Sequence, residues 1–322
     1  MEAATGAEEV GEQPPPFTVL QWNVLARPYT KYNWGGGRPA PHDSVQGHCN
    51  AEAMESPAQT AARYALSVAE LLEQAPDAAM LQEVEPAYFD PSVNPSAEVL
   101  LESYVPYRCF GGFAADQPGV AVLLRKGGAL RKAPEMELAR IPGDGCTGGP
   151  SKGSVLVPVQ SVAGGGVVWI GSIHLTPPKF NIDKARHHLQ RTLAAIVHPP
   201  DQCAGATVLL AGDFNALPDE VDALLADPTV APLHTLKRLP LGDGCSTGLS
   251  SDFSAHECID HALFSDGLSA VSLVDGTEAL SMVEKVPASP YAASEGEPAE
   301  VVGASDHVWI KMCVQARARS SM

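Results

Sequence analysis

Residues 207–220 read TVLLAGDFNALPDE, an apolar run that reaches a glycine and then sets an acid, an aromatic and an amide in succession. Five apolar or β-branched residues in a row predict a buried strand over 207–211. Asp213 and Asn215 then stand at its exit. Asp, Asn and Gly at a strand end build Asx-turns far more often than active sites, so this stretch alone favours a turn. The other strands change that weight.

Apolar runs of strand length recur at 17–22, 78–82, 119–125, 155–162, 167–173, 258–264 and 308–314. Asn23 follows the first, Glu83 follows AAMLQ, and His174 ends VVWIGSI, so four strands deliver polar groups at their exits. Asp260 instead lies at the entry of CIDHALF, and Ser305, Asp306 and His307 come just before VWIKMCV. Those two strands must run the other way if all these groups share one edge. The pattern describes a mixed sheet and argues against a doubly wound parallel sheet, whose ligands gather at strand exits only.

Three helices have recognisable ends. One opens on Ser56, with Pro57 at its first position and Gln59 completing an S-x-x-Q capping box, and carries Tyr64, Val68, Leu71 and Leu72 on its apolar face. A second begins near Asp183, aligns Leu189, Leu193, Ile196 and Val197, and stops before Pro199 and Pro200. A short third follows Pro218 with Val221, Leu224 and Leu225. Stretches 31–55, 141–153 and 284–304 are rich in Gly, Pro, Ala and Ser and are expected to be surface loops of one domain. The expected organisation is a disordered acidic tail over 1–16, a domain over 17–314 and a short tail over 315–322.

Composition restricts the partners. With 38 acidic against 21 Lys and Arg the formal charge is −17, so the broad basic surface that supplies most non-specific nucleic-acid affinity is missing. Seven cysteines without a C-x-x-C pair read as reduced thiols and speak against structural zinc. No signal-like segment and no apolar run near ~20 residues is found, so the expectation is a soluble protein of the cytoplasm or nucleus with no membrane contact.

Asp260 is the hardest of the polar residues to explain blandly. A carboxylate inside an apolar strand costs several kcal/mol unless paired. His307 is its expected partner, because a carboxylate on one imidazole nitrogen fixes the tautomer and aims the other nitrogen at a substrate. Glu83, Asp306, Asp213 and the amides of Asn23 and Asn215 are hard oxygen ligands suited to Mg²⁺ or Mn²⁺. Metal, carboxylates, amides and the two histidines together describe phosphoester hydrolysis. Arg186 on the second helix could grip a phosphate and Phe253 could stack on a base, although helix surface and core packing are their commoner uses. His187 and His188 are expected on a solvated face, and the glycine-rich 143–149 is a loop rather than a nucleotide cradle.

LQWNVLA (20–26), LQEVE (81–85), GSIHL (171–175), LLAGDFNALP (209–218), CIDHALFS (258–265) and ASDHVWI (304–310) appear in this order over roughly residues 17–314. In these motifs the chain resembles the endonuclease/exonuclease/phosphatase superfamily with the DNase I-like fold. QWNVLA, LQEVE and the helix bearing Arg186 and Gln190 are similar to its nocturnin and poly(A) deadenylase branch. Two positions depart from the family pattern and bear on the nucleobase pocket: His261 replaces the usual aromatic, and Pro118-Gly119 replaces Asp-Gly.

The resemblance implies an α/β four-layer sandwich of two packed mixed β-sheets flanked by helices, with the site at one end. It implies Glu83 as main Mg²⁺ ligand with Asn23 in support and Asp306 completing the metal site. Asp213 would serve the attacking water, and Asn215 and His174 would hold phosphate oxygens. His307, oriented by Asp260, would stabilise charge on the phosphoryl group. The function expected is a Mg²⁺-dependent 3′–5′ exoribonuclease acting on an RNA 3′ end. A phosphatase or phosphodiesterase for a phosphorylated nucleotide such as NADP competes with it, and the acidity favours that alternative. A catalytically silent binding protein is the third, disfavoured because a scaffold has no reason to keep the whole polar set.

Overall fold

Alternation along β1 (Phe17–Asn23) sends Phe17 and Val19 into one apolar core and Leu20 and Trp22 into another, so this strand is buried on both faces. The computed structural model describes residues 15–24, 57–110, 118–143, 152–164, 166–196, 206–230, 235–241, 247–249, 256–273, 305, 307 and 309–316. Beside β1 lie β2 (Ala78–Val84), parallel to it, and β15 (Ile310–Ala316), antiparallel to it. The sheet is completed by β14 (Leu268–Leu273) beyond β15 and by β4 (Gly119–Arg125) and β3 (Tyr104–Phe110) beyond β2.

A second, seven-stranded sheet faces the first. Its centre is β8 (Val168–His174) parallel to β9 (Thr207–Asp213), with β13 (Asp260–Ser265) antiparallel to β9. Outward lie β7 (Gly153–Ser161), β5 (Leu130–Lys132), β6 (Ala139–Pro142) and β10 (Leu236–Arg238). A separate pair joins β11 (Gly248–Leu249) to β12 (His256–Glu257). Both sheets are mixed, and the strands entered by Asp260 and preceded by His307 run against their neighbours, as the edge pattern required.

Among the described residues four α-helices cover the outer faces. Helices α1 (Pro57–Gln74) and α2 (Ala97–Ser103) lie on the first sheet, where Tyr64, Val68, Leu71 and Leu100 pack with Leu20, Trp22, Ala79 and Leu81. Helices α3 (Pro178–Ala194) and α4 (Pro218–Ala226) lie on the second, where Leu189, Leu193, Val221 and Leu210 form the outer core. Between the sheets sits a third core, built from Val19, Met80, Val122, Val157, Ile170, Ala211 and Ala262 among others. The order helix, sheet, sheet, helix is the four-layer sandwich expected from the sequence.

Several details differ from the sequence reading. Asn181 breaks the start of α3 with φ −161° and ψ 88°, and its side-chain oxygen accepts from the Lys184 N–H, so the helix body starts where the periodicity begins. His188 is buried rather than solvated: Ser154 Oγ lies 2.8 Å from its Nε2, because position 188 shares the inward phase of Ala185, Leu189 and Thr192. His187 is exposed. Residues 139–142, partly assigned to a loop, form β6. Strand β3 escapes an apolar-run reading because Pro106 and Arg108 interrupt it, which an edge strand tolerates. Ser56, Val197, Phe253, Asp306 and stretches 31–55 and 284–304 lie outside the described residues, as does the expected tail up to residue 14.

The glycine in the opening motif has a steric cause. A Cβ on Gly212 would lie 1.8 Å from the Ile173 carbonyl oxygen, a backbone atom of the paired strand that has no rotamer to escape into. Gly212→Ala is expected to destabilise the fold by about 3 kcal/mol, read as a lower urea midpoint at unchanged slope. An unchanged midpoint would show that the two strands can part without cost.

Candidate active site

At one end of the sandwich the faces that look between the sheets turn from apolar to polar. Along β1 the inward series Phe17, Val19 continues as Gln21 and Asn23; along β8, Val168 and Ile170 continue as Ser172 and His174. On β9 and β13 the last inward positions are Asp213 and Asp260, paired directly across the antiparallel ladder, and His174 pairs with Asp213 on the other side. Asp260 is 0% exposed and Asp213 2%, so two acids share a dry neighbourhood. Such a pair persists only with cations and donors around it.

Two of these polar residues are held in strained backbone. Glu83 sits at an irregularity in the β2–β4 register with φ +58°, and Asn215 follows β9 with φ +50°. Left-handed backbone costs a non-glycine residue roughly 1–2 kcal/mol. A bulge re-aims the side chain that strict alternation would send to the other face.

Asp213 divides its two oxygens between two tasks. Oδ1 accepts the Asn215 N–H at 2.8 Å, closing the Asx-turn that the sequence suggested, while Oδ2 lies 3.3 Å from His174 Nε2 and accepts from Asn23 Nδ2 at 3.1 Å. The turn and the site are the same residue. Asn23 Nδ2 also donates to Glu83 Oε1 at 3.2 Å and stands 3.4 Å from His307 Nε2, so one amide ties both acids to the histidine. His307 Nδ1 lies 2.7 Å from Asp260 Oδ2, the pairing anticipated from sequence. Its loop is fastened to the end of β1: Trp22 Nε1 donates to the His307 carbonyl at 3.0 Å, and Ser305 Oγ donates to the Asn23 carbonyl at 2.6 Å.

Lys152, immediately before β7, brings its ammonium against His174 Nε2. The sequence reading missed it, since it follows a glycine-rich stretch with no periodicity to place it. Burial pushes its pKa down, opposed by the charges of Asp213 and Glu83. For Asp213 burial raises the pKa, yet His174, His307 and Lys152 together outweigh it and hold the carboxyl well below the ordinary range. Burial likewise pushes Asp260 up, with His307 as the main opposing influence.

Glu83, His174 and Asp213 each present a ligand atom, all within 4.8 Å of one another. Glu83 is the most open of the three, with 11% of its side chain exposed. Two carboxylates with an adjacent amide are the donor chemistry of a hard divalent cation, so these residues fit Mg²⁺ or Mn²⁺. Asn23 turns its amide nitrogen toward both acids, so ligation through its oxygen requires the amide to turn over.

The structure thus gathers Asn23, Glu83, His174, Asp213, Asn215, Asp260 and His307 at one end of the sheets. Arg186 is elsewhere engaged, with Asp183 at 2.6 Å and Asp227 at 2.8 Å on the outer helix layer. The proposed phosphate grip therefore has no support. His261 points to the reverse face of β13, where its Nε2 donates to the Ala216 carbonyl at 2.7 Å and its ring stands edge-on to Phe214. The departure from an aromatic at this position is a substitution within the outer core.

Paired mixed sheets with acids, an amide and two histidines at one end define a protein of the DNase I-like fold. The model of the Endonuclease/Exonuclease/phosphatase family matches residues 20–307, and the chain belongs to that family, whose members are phosphoesterases. Sequence comparison with curated proteins finds no match. Among solved structures the chain is similar to ANGEL2, a 2′,3′-cyclic phosphatase bound to adenosine-2′,3′-vanadate, at 14% identity and a TM-score of 0.62, covering 94% of this chain and 96% of that one. Truncated Caenorhabditis elegans TDP2 aligns at 15% identity and TM-score 0.58, covering 94% and 98%. The human nocturnin catalytic domain with bound sulfate aligns at 17% and 0.55, covering 94% of each.

Burial pushes His261 down to about 4 from the ordinary 6.5, with the Ala216 hydrogen bond opposing. Between these values the unfolded chain takes a proton that the folded chain refuses, so folding stability falls as pH drops. His261→Phe removes that penalty: relative to wild type it is expected to gain about 2–3 kcal/mol on going from pH 7 to pH 4.5, measured by urea unfolding. A pH-independent difference would mean the ring titrates normally.

Proposed function

We propose that the protein is a divalent-metal-dependent phosphoester hydrolase acting on a nucleotide, in the first instance a 3′–5′ exoribonuclease of the nocturnin and deadenylase type that takes an RNA 3′ end. The observation that carries this reading is the convergence of Glu83, His174 and Asp213 within 4.8 Å beside the Asp260–His307 pair. Glu83, with Asn23 and Asp306 in support, would hold Mg²⁺ or Mn²⁺; when bound, the ion polarises the phosphate and offsets its charge. Asp213, kept ionised by its cationic neighbours, would orient a water and take its proton. His307 offers Nε2 toward the site, with Asp260 behind it stabilising the charged ring as negative charge grows on the phosphoryl oxygens. His174, Asn215 and Lys152 line the same end and supply donors for phosphate oxygens.

The second reading, a phosphatase for a phosphorylated nucleotide such as NADP, has its own support. The formal charge of −17 and the engagement of Arg186 by two aspartates leave little positive surface to track a strand. Lys152 at the site suits a compact, highly charged phosphate group. Oligo(A), mixed RNA, NADP⁺ and inositol phosphates, each incubated with protein and Mg²⁺, separate the readings by whether nucleotides are released from RNA or inorganic phosphate from the small molecules.

Hydrolysis is expected to require Mg²⁺ or Mn²⁺ and to vanish in EDTA; full activity in chelator would refute the metal. Glu83→Ala is expected to lose metal binding, whereas Asp213→Ala keeps part of it and loses turnover, checked by calorimetry with Mn²⁺ alongside kinetics. Asp260→Asn is expected to lower kcat with little change in KM, and His307→Ala to cost at least as much. The double variant should be little worse than His307→Ala alone, because a carboxylate with no ring to orient has nothing left to lose. Additive losses in kcat would mean the two do not act as a unit.

A further inference from the structure

Behind the Asp260–His307 pair runs a buried chain of neutral hydrogen bonds that joins the two sheets. Ser172 Oγ donates to the Leu81 carbonyl at 2.8 Å and accepts from Gln82 Nε2 at 2.9 Å. Gln82 Nε2 gives its other hydrogen to the Met80 carbonyl at 3.1 Å, and its Oε1 accepts from Gln21 Nε2 at 2.8 Å. Gln21 Nε2 in turn donates to Asp260 Oδ1 at 2.7 Å. Gln21, Gln82 and Ser172 are each 0% exposed.

The sense of this chain is not free. Main-chain carbonyls can only accept, so Leu81 fixes the Ser172 hydroxyl as a donor and Met80 fixes which end of Gln82 is nitrogen. With both hydrogens of Gln82 spent, its oxygen must accept, and Gln21 must present nitrogen to it. The second hydrogen of that nitrogen has Asp260 Oδ1 as its acceptor. A proton on Oδ1 would leave two donors facing each other in a dry interior, at a cost of about 1–3 kcal/mol.

We propose that Gln21 is a positioning residue for the Asp260–His307 unit: by donating to Oδ1 it occupies the inner oxygen, turns Oδ2 to the His307 Nδ1–H, and so fixes the ring with Nε2 aimed at the site. Gln82 and Ser172 hold Gln21 in this sense. The role of Gln21 in turnover rests on the reading of Asp260 and His307 as the pair that stabilises phosphoryl charge; its effect on the His307 Nδ1–H bond to Asp260 does not.

The test therefore has two arms, on Gln21→Met and on Gln21→Asn, the second keeping a neutral amide one methylene short of Oδ1 should the first fail to fold. In the resting, metal-free protein labelled with ¹⁵N-histidine, the wild type should show a downfield His307 Nδ1 proton, held on Asp260 Oδ2. Either variant should shift or broaden that signal. In kinetics with the substrate found by the panel, kcat should fall about 10–100-fold with KM changed less than about twofold. A folded variant with an unchanged His307 signal overturns the inference whether or not the protein hydrolyses anything. A shifted signal with no hydrolysis of any substrate by the wild type leaves the positioning role standing and overturns the phosphoester reading instead. A shifted signal with wild-type kcat overturns the part of Gln21 in turnover.

Discussion

Two carboxylates set side by side in the interior are the constraint around which this protein is organised. Asp213 and Asp260 face each other across the β9–β13 ladder, and like charges in that register repel in a place where water cannot screen them. Each is stabilised from a different direction. Asp213 has His174 from the parallel neighbour, Asn23 from the opposite sheet and Lys152 from the start of β7. Asp260 has His307 from the loop before β15 and Gln21 from β1. No single element could supply these partners, so the repulsion is relieved only when both sheets are in place. A buried polar set of this sort costs more than an apolar core of equal volume. Its retention is what a site needs and a scaffold does not.

The space between the sheets is graded along the strands. Apolar residues such as Val19, Met80 and Ile170 give way to the neutral Gln21, Gln82 and Ser172, and these to the charged end. The neutral belt lets the change occur without bare contact between carboxylate and hydrocarbon. It also locks the sheets in register, because amide and hydroxyl bonds have direction and apolar contacts do not.

Much of this was legible in the sequence, for a physical reason. Strands have period two, so FTVLQWN announces an inward face of Phe17, Val19, Gln21 and Asn23, and GDFN announces polar groups at a strand exit. The opposite placement of Asp260 and His307 relative to their strands gave the antiparallel directions before any contact was known. The pairing of Asp260 with His307 followed from the cost of an unpaired buried acid. Lys152 was not legible, because it is brought to His174 by the β7–β8 ladder and nothing in its neighbourhood has a period. Gln21 and Gln82 carried a signal that went unused: polar residues at inward positions of otherwise apolar strands. His188 was misplaced because two adjacent histidines on a helix look alike in sequence, and only the phase of the outer core separates the exposed one from the buried one. Arg186 had the right chemistry, but the aspartates that hold it, Asp183 and Asp227, could not be assigned to it from sequence.

The pairing of β1 with β15 gives the molecule a timetable. Phe17 lies opposite Val314, and Trp22 and Asn23 are bonded to His307 and Ser305, so strands near the two extremes of the described residues are neighbours. During synthesis β1 waits, with one edge unpaired, until β15 has followed it out of the ribosome. Over that interval Asp260 has no histidine, Asn23 has no loop against it, and no site exists to act on anything. Contacts of such long separation also form late in refolding. A chain released before β15 thus carries nearly every motif of the family with β1 unpaired on one edge.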